Sequence, residues 1–518
     1  MARSKTPPFI TELEILPTPR QAKRLRSRFE AARQIYNACL GECLKRLDLL
    51  RQSRIYNRAR KLAKGKERTE TFKEAAVKMA FREYDIHKWA TRFTASWLNE
   101  HVDARTVEQI ATTTFLAAKT CAMGTRGRPR FKRKGELNTI EGKTASACRW
   151  KTELRSIVWK GLTIPARIDA SDPVVAHGLG CKVRYVRLTR RTVRGKERFY
   201  AQLVNEGLPY RKPEHTTQSG IVGLDLGPST IAVVGEDQAL LQPFCPELEN
   251  HQRAIRRMQR ALDRRRRANN PDNFGDDGQP RKGRMKWTAS KRQRRLGTRV
   301  ADLQRRQASQ RKNLHGQLVN RVFRMGDDIR MEALSYKAFQ ARFGKSVSFR
   351  APGTFVLRLR NAKAKYRATV TEFSTKTTKL SQTCHNCGRI FKKPLSQRWH
   401  DCDCGIQVQR DLYSAFLARF VQENRLNADQ AKSAWSGACV LLDAALSVTR
   451  QQVMGGFAPA SLGLRSAPSQ NLSRRKHETK PAKAADDVPT RKGGESRVEA
   501  GQNREHTAIG WRPPPNDV

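Results

Sequence analysis

No stretch of the 518-residue sequence is long and apolar enough to cross a bilayer as a helix. The N-terminus, Met1-Ala2-Arg3-Ser4-Lys5, also lacks the apolar core of a signal peptide. Both absences predict a soluble, cytoplasmic protein with no membrane partner. Acidic residues are scarce: 48 Asp and Glu stand against 102 Lys and Arg, a formal charge of +54. Such an excess repels itself unless a polyanion neutralises it, so long nucleic acid is the expected partner. A ribosome-associated basic protein is the plainer alternative. In a reducing compartment the 11 cysteines form no disulfide framework. Internal repeats are absent, and large apolar residues nearly vanish after about Gly456, which predicts a disordered tail.

What is present falls into blocks. Residues 9–16 alternate like a strand, closed by Pro17 and Pro19. Over 20–47, Leu25, Phe29, Ala32, Tyr36, Cys39, Cys43 and Leu47 recur at helical spacing against a basic face, which predicts an amphipathic helix with both cysteines in the core. Helical sequence continues to about Cys121, with Trp89, Phe93 and Trp97 four apart. Gly127 and Pro129 make 126–134 an extended basic arm. Alternation over 157–159, 182–188 and 199–204 predicts a small antiparallel β-domain ending near Pro213. A buried strand over 220–227 and its hairpin partner over 230–234 follow. Basic helices then span about 251–267 and 290–323, separated by a Gly, Asp and Pro-rich break, and 328–334 reads as another strand. Helices are expected again from Asp411 to about Val421 and over about 434–448.

The spacing Cys384-x2-Cys387 with Cys402-x-Cys404 puts two thiolates on each of two tight turns, the makings of a four-sulfur tetrahedral zinc site. Gly388 and Gly405 follow the pairs, where the turn calls for a small residue. A redox or disulfide role competes, and His385 or His400 could replace one sulfur. Four sulfurs leave no open position for water, so this zinc is structural and catalysis lies elsewhere. A carboxylate inside an apolar strand is costly unless compensated, and Asp225 and Glu332 are so placed. Asp411 opens a helix, whose dipole favours an anion. Together the three could hold two Mg²⁺ or Mn²⁺ ions about 4 Å apart for phosphodiester hydrolysis. Taken singly, Asp225 reads as a turn residue, Glu332 as a surface residue on an edge strand and Asp411 as an N-cap. Arg264, Arg265, Arg266 and Arg267 read as phosphate contacts or as a solvated face. In the extended arm, Arg128, Arg130 and Lys132 flank Phe131, a ring that can stack on a base. Cys148, Cys181, Cys245 and Cys439 lack ligand spacing and read as buried thiols.

Asp225 in Gly223-Leu224-Asp225-Leu226-Gly227, Glu332 in Met331-Glu332-Ala333-Leu334, the knuckle led by Leu380-Ser381-Gln382-Thr383, and Arg410-Asp411 resemble, in that order, the RuvC-like nuclease of TnpB proteins. These are RNA-guided nucleases of insertion sequences, related to compact type V CRISPR effectors. Residues 13–21, Tyr36-Asn37 and Arg128-Pro129-Arg130-Phe131-Lys132 resemble the same family, and the match runs from about Phe9 to Phe420. The resemblance implies an α/β multidomain chain: an RNase H-like (RuvC) nuclease domain with an inserted zinc ribbon, an N-terminal helical recognition lobe and a small β-barrel wedge domain. The expected boundaries are 1–19 for the first wedge strand, 20–125 for the recognition lobe and 126–213 for the rest of the wedge. The nuclease with its basic helical insertion takes 214–380, the ribbon 381–408, the end of the nuclease 409–455 and the tail 456–518. The resemblance further implies an RNA-guided DNA endonuclease that binds a structured guide RNA and a short target-adjacent motif. It would cut double-stranded target DNA and act on its displaced strand. Asp225, Glu332 and Asp411 would then be the catalytic, magnesium-binding triad, beside one structural zinc on Cys384, Cys387, Cys402 and Cys404. Gln409 and Tyr413 depart from the family pattern, which has an acidic residue and an asparagine there. The alternative is therefore an RNA-guided DNA-binding protein that acts by target occupancy with weak or no cleavage. A transposase with an acidic triad and no RNA fits less well, because the knuckle separates the second and third carboxylates.

Overall fold

The computed structural model describes residues 6–142, 147–283, 285–394, 396–453 and 462–464. It divides the chain into Met1–Arg465 and Ser466–Val518. The second unit, and with it nearly all of the expected tail, lies outside the described residues. No helix among the described residues is long and apolar enough to cross a membrane.

Seven strands form an antiparallel sheet: β1 (Pro8–Ile15), β2 (Thr139–Glu141), β3 (Arg149–Lys151), β4 (Ser156–Trp159), β5 (Leu162–Arg167), β6 (Val183–Val193) and β7 (Lys196–Glu206). Their order is β2-β6-β7-β1-β5-β4-β3. After β1, Thr18 starts the long helix Pro19–Gln52 with a reciprocal capping bond to Gln21, and Pro19 supplies a preset φ in the first turn. Its buried stripe, with Leu25, Phe29, Cys39, Cys43 and Leu47, joins one core with the Ala104–Ala122 helix and with Trp159, Ile164 and Leu188 of the sheet. Arg28 is buried at this seam and donates to the carbonyls of Trp159 and Lys160 at 2.6 Å each.

Two expectations fail here. Trp89, Phe93 and Trp97 do not share a helical face: Trp89 belongs to the helix Glu83–Ala90, and the other two lie on separate 3₁₀ turns, Thr91–Ala95 and Trp97–Glu100. Extended backbone at Ser96 breaks the register, leaving Trp97 58% exposed. Cys181 and Cys439 keep partial exposure, unlike the buried Cys148 and Cys245. Cys439 falls just outside the buried stripe of Ala438, Leu442, Ala445 and Leu446 on the helix Trp435–Val453.

A second sheet contains β8 (Ile221–Leu226), β9 (Thr230–Val234), β10 (Ala239–Pro243), β11 (Asp328–Glu332) and β12 (Thr369–Phe373), in the order β10-β9-β8-β11-β12. β10, β9 and β8 pair antiparallel, whereas β8, β11 and β12 are parallel. Between β10 and β11 the chain makes two basic helices, Gln252–Ala268 and Lys291–Met325. One sheet face packs on the Lys291–Met325 and Pro352–Tyr366 helices through Val322, Phe323, Phe355 and Leu359. The other is covered by helix Arg410–Ala418 and by Trp435–Val453.

Candidate active site and zinc ribbon

Alternation along the strands decides which side chains share a face. Val222, Leu224 and Leu226 of β8 and Ile329 and Met331 of β11 enter one core. Asp225 and Glu332 therefore lie on the opposite face, the one covered by helix Arg410–Ala418. Met331 pairs with Leu224, so the next step of the same parallel register sets Glu332 beside Asp225. β11 runs between β8 and β12, so Glu332 is not on an edge strand.

Gly223 brings the third carboxylate close. A Cβ at this position would overlap the Ala415 carbonyl oxygen and come within 3.1 Å of the Ala418 Cβ, so the helix could not settle on the strand. Every residue of Arg410–Ala418 is buried. The N-cap is Gln409, whose side-chain oxygen accepts from the Leu412 N–H at 2.8 Å, and Asp411 sits in the first turn. Asp411 Oδ2 accepts from Thr230 Oγ1 at 3.3 Å, while Oδ1 lies 3.7 Å from Arg410 Nε and 3.9 Å from an Arg398 guanidinium nitrogen.

Of the three acids, Asp225 feels the other two. Asp225 keeps some solvent exposure yet is densely surrounded, and its pKa is raised well above the carboxylate range by burial and then by the charges of Asp411 and Glu332. Burial also raises Asp411, against the pull of Arg410 and Arg398, and lifts Glu332 to about 7. Negative charge concentrated in this way favours a bound cation. Among the described residues, the four cysteines are the only metal-ligating group of three or more whose ligand atoms all fall within 4.8 Å of one another. The carboxylates converge more loosely.

In the ribbon, Cys384 Sγ lies 3.5 Å from Cys404 Sγ and Cys387 Sγ 3.5 Å from Cys402 Sγ. Four sulfurs this close fit a tetrahedral zinc with Zn–S bonds of about 2.3 Å. The turns close through the N–H of Gly388 on the Cys384 carbonyl and the N–H of Gly405 on the Cys402 carbonyl, with φ of 70° and 91° at the two glycines. Neither histidine replaces a sulfur: His385 Nδ1 meets the Tyr413 hydroxyl at 2.6 Å, and His400 Nδ1 meets Lys393 Nζ at 2.6 Å.

Tyr413, which departs from the asparagine of the family pattern, is fully buried two residues beyond Asp411. Its hydroxyl accepts from the His385 backbone N–H at 3.0 Å, inside the first cysteine turn. The second attachment is the chain itself. Strands β13 (Trp399–Asp401) and β14 (Gln407–Gln409) form the ribbon hairpin, and Gln409 both ends β14 and caps the helix. Its amide also donates to the carbonyl of the buried Leu462 at 3.4 Å.

The basic candidates divide. Arg128 pairs with Asp48 at 2.9 Å, and Asn37 holds both the N–H and the carbonyl of Lys132 at 2.8 Å, so the arm is laced to helix Pro19–Gln52. Arg130 and Phe131 stay exposed. Arg266 stacks on Trp287 at 3.9 Å, and Arg267 lies over Phe274 at 4.8 Å and pairs with Asp263, so both brace the loop after their helix. Arg264 and Arg265 have no side-chain partner among the described residues. Sequence reasoning missed Thr230, 181 residues from Asp411, and Arg398, 13 residues before it at the start of the ribbon hairpin; neither carries a motif. It also passed over Gly223, although a glycine inside a strand signals a close approach.

The fold and site define an α/β chain with a carboxylate cluster on a mixed sheet, a four-cysteine ribbon and a strongly basic surface. Residues 11–48 match the HTH_OrfB_IS605 family model, a helix-turn-helix domain. In this structure that segment is the end of β1 followed by most of helix Pro19–Gln52. With the order of its motifs, the match makes the chain similar to TnpB-type proteins. No curated protein matches it. Among solved structures it is similar to a chain of a Cas12f1–sgRNA–target DNA complex, with 11% identity over 80% of this chain and 98% of the other and a TM-score of 0.40. It is also similar to a chain of a CRISPR–Cas12f ternary complex, with 12% identity over 77% and 84% and a TM-score of 0.25.

Proposed function

We propose that the chain is an RNA-guided DNA endonuclease whose mixed sheet is an RNase H-like, RuvC-type core. The observation that carries this reading is the placement of Asp225, Glu332 and Asp411 from β8, β11 and a helix N-terminus on one sheet face, where the charges of Asp411 and Glu332 add to burial in raising the proton affinity of Asp225. These residues would hold Mg²⁺ or Mn²⁺, which when bound supplies an activated water and charge relief at a scissile phosphate. Arg398 and Arg410 balance Asp411. The seven-stranded sheet and the helices over 19–122 would be the wedge and recognition lobe that grip guide RNA and read a target-adjacent motif, and the net charge of +54 supports a polyanionic partner. The cysteine quartet would carry one structural zinc.

Asp225→Ala should abolish divalent-dependent DNA cleavage and leave RNA binding intact. Equal cleavage by the variant would remove the triad from the chemistry, and purified protein carrying no RNA would overturn the guided reading. A second reading, target occupancy with little cutting, draws on the two guanidiniums already within 4 Å of Asp411. Wild-type protein that binds its guided target and leaves it uncut in Mg²⁺ would select that reading.

A further inference from the structure

Away from the carboxylates, the tip of the β6–β7 hairpin meets the two basic helices and leaves an open cleft of about 610 Å³. Its walls carry Arg194 from the hairpin, Arg257 from helix Gln252–Ala268, and Arg295, Arg299 and Arg306 from helix Lys291–Met325. Asp302 is the acidic side chain that lines it, and Arg305 and Arg306 already engage its carboxylate. Arg257, Arg295 and Arg299 have no hydrogen-bond or ion-pair partner among the described residues.

The hairpin tip adds an independent observation. Val193 pairs with Lys196, leaving Arg194-Gly195 as a two-residue turn with φ of 52° and 77°. Positive φ at both positions is the type I′ turn, which favours Asn or Asp before Gly, so an arginine is held there against its backbone preference. Gly195 fits the turn against the long helix, where a Cβ would lie 3.4 Å from Thr298.

We propose that this cleft binds the sugar-phosphate backbone of a nucleic acid, with Arg194, Arg257, Arg295 and Arg299 as phosphate contacts. Arg295 and Arg299 lie one turn apart on helix Lys291–Met325, and Arg257 of helix Gln252–Ala268 and Arg194 of the hairpin line the same cleft, so four guanidiniums reach it from three elements. Four separate cations suit a run of phosphates better than a single phosphate group. The apolar lining is limited to Ala254, Met258 and Leu303, too little to enclose a small organic ligand. The inference rests on the proposed nucleic-acid partner and is independent of cleavage.

The test measures binding by the full chain, without divalent ions, to a single-stranded RNA and to a DNA duplex of equal length across a salt series. Each lost phosphate contact lowers the slope of log K against log salt by about 0.7–0.9. The triple variant Arg257→Ala, Arg295→Ala, Arg299→Ala should therefore lose about 2–3 from the slope for one of the two ligands, which identifies the strand in the cleft. Its thermal midpoint should stay unchanged. Arg194→Asn should raise the thermal midpoint, because it suits the turn, and yet weaken binding of the same ligand. Unchanged slopes for both ligands in a folded triple variant would overturn the proposal. If the wild-type chain binds neither ligand, the nucleic-acid reading itself falls.

Discussion

Glu332→Gln tests whether burial on the sheet face holds a proton on this carboxylate. Burial lifts Glu332 from 4.5 to about 7, so the folded chain holds its proton more tightly than the unfolded chain does. For an acid raised in this direction, the stabilisation is fully present below the unfolded value and is lost as pH rises through about 7. At about 1.4 kcal/mol per pKa unit the loss would be about 3 kcal/mol, and the residual exposure of Glu332 reduces it to about 2. Urea unfolding in a chelator at about pH 5 and about pH 8 should show the wild type losing about 1.5 kcal/mol more than Glu332→Gln between them, since part of the effect is already lost at pH 5. Added Mg²⁺ should restore wild-type stability at the higher pH and do much less for the variant, because a cation bound to the folded state replaces the proton. Parallel pH curves for the two proteins would refute the argument from burial, whatever their cleavage activities.

Tyr413→Phe removes a hydroxyl that faces a buried N–H and a buried imidazole nitrogen. It should cost about 2–3 kcal/mol in unfolding free energy and speed zinc loss to a chelator, and unchanged zinc retention would count against the hydroxyl as the tie to the first cysteine turn. Gly223→Ala should push helix Arg410–Ala418 off the sheet, with a loss of at least about 2 kcal/mol and of divalent binding by the full chain. Titration calorimetry giving a wild-type Mg²⁺ affinity would show that the helix had found another seat.

The blocks legible in the sequence were those with a strong local period or a fixed spacing. The stripe from Leu25 to Leu47, the alternation of β8 and the cysteine pairs each declare their structure over a few residues. Which acids would share a face was also readable, because alternation about Leu224 and Met331 sets Asp225 and Glu332 opposite the core. What brings Asp411 to them was not. That placement depends on a glycine admitting a carbonyl from a helix far along the chain, and on Tyr413 reaching into the ribbon, neither of which leaves a local pattern. The aromatic series at Trp89 misled for the complementary reason: a regular spacing of four presumes a continuous α-helix, and the backbone there is two 3₁₀ turns. The arginine tetrad was likewise only half exposed to partners, since Arg266 and Arg267 found rings in their own loop.

The contact between Gly223 and Ala415 also bears on the order of synthesis. Thr230, just past β8, and Asp411 are separated by 181 residues, so both sheet strands leave the ribosome long before the helix that covers them. Until that helix arrives, the face holding Asp225 and Ala232 has no lid, and the nascent chain carries only part of its acidic centre. The cysteine ribbon is made immediately before the helix, and its hairpin ends on the helix cap. The cysteine pairs and the helix that closes the sheet are thus consecutive products of translation, and a chain stopped short of Asp411 is born without the third carboxylate.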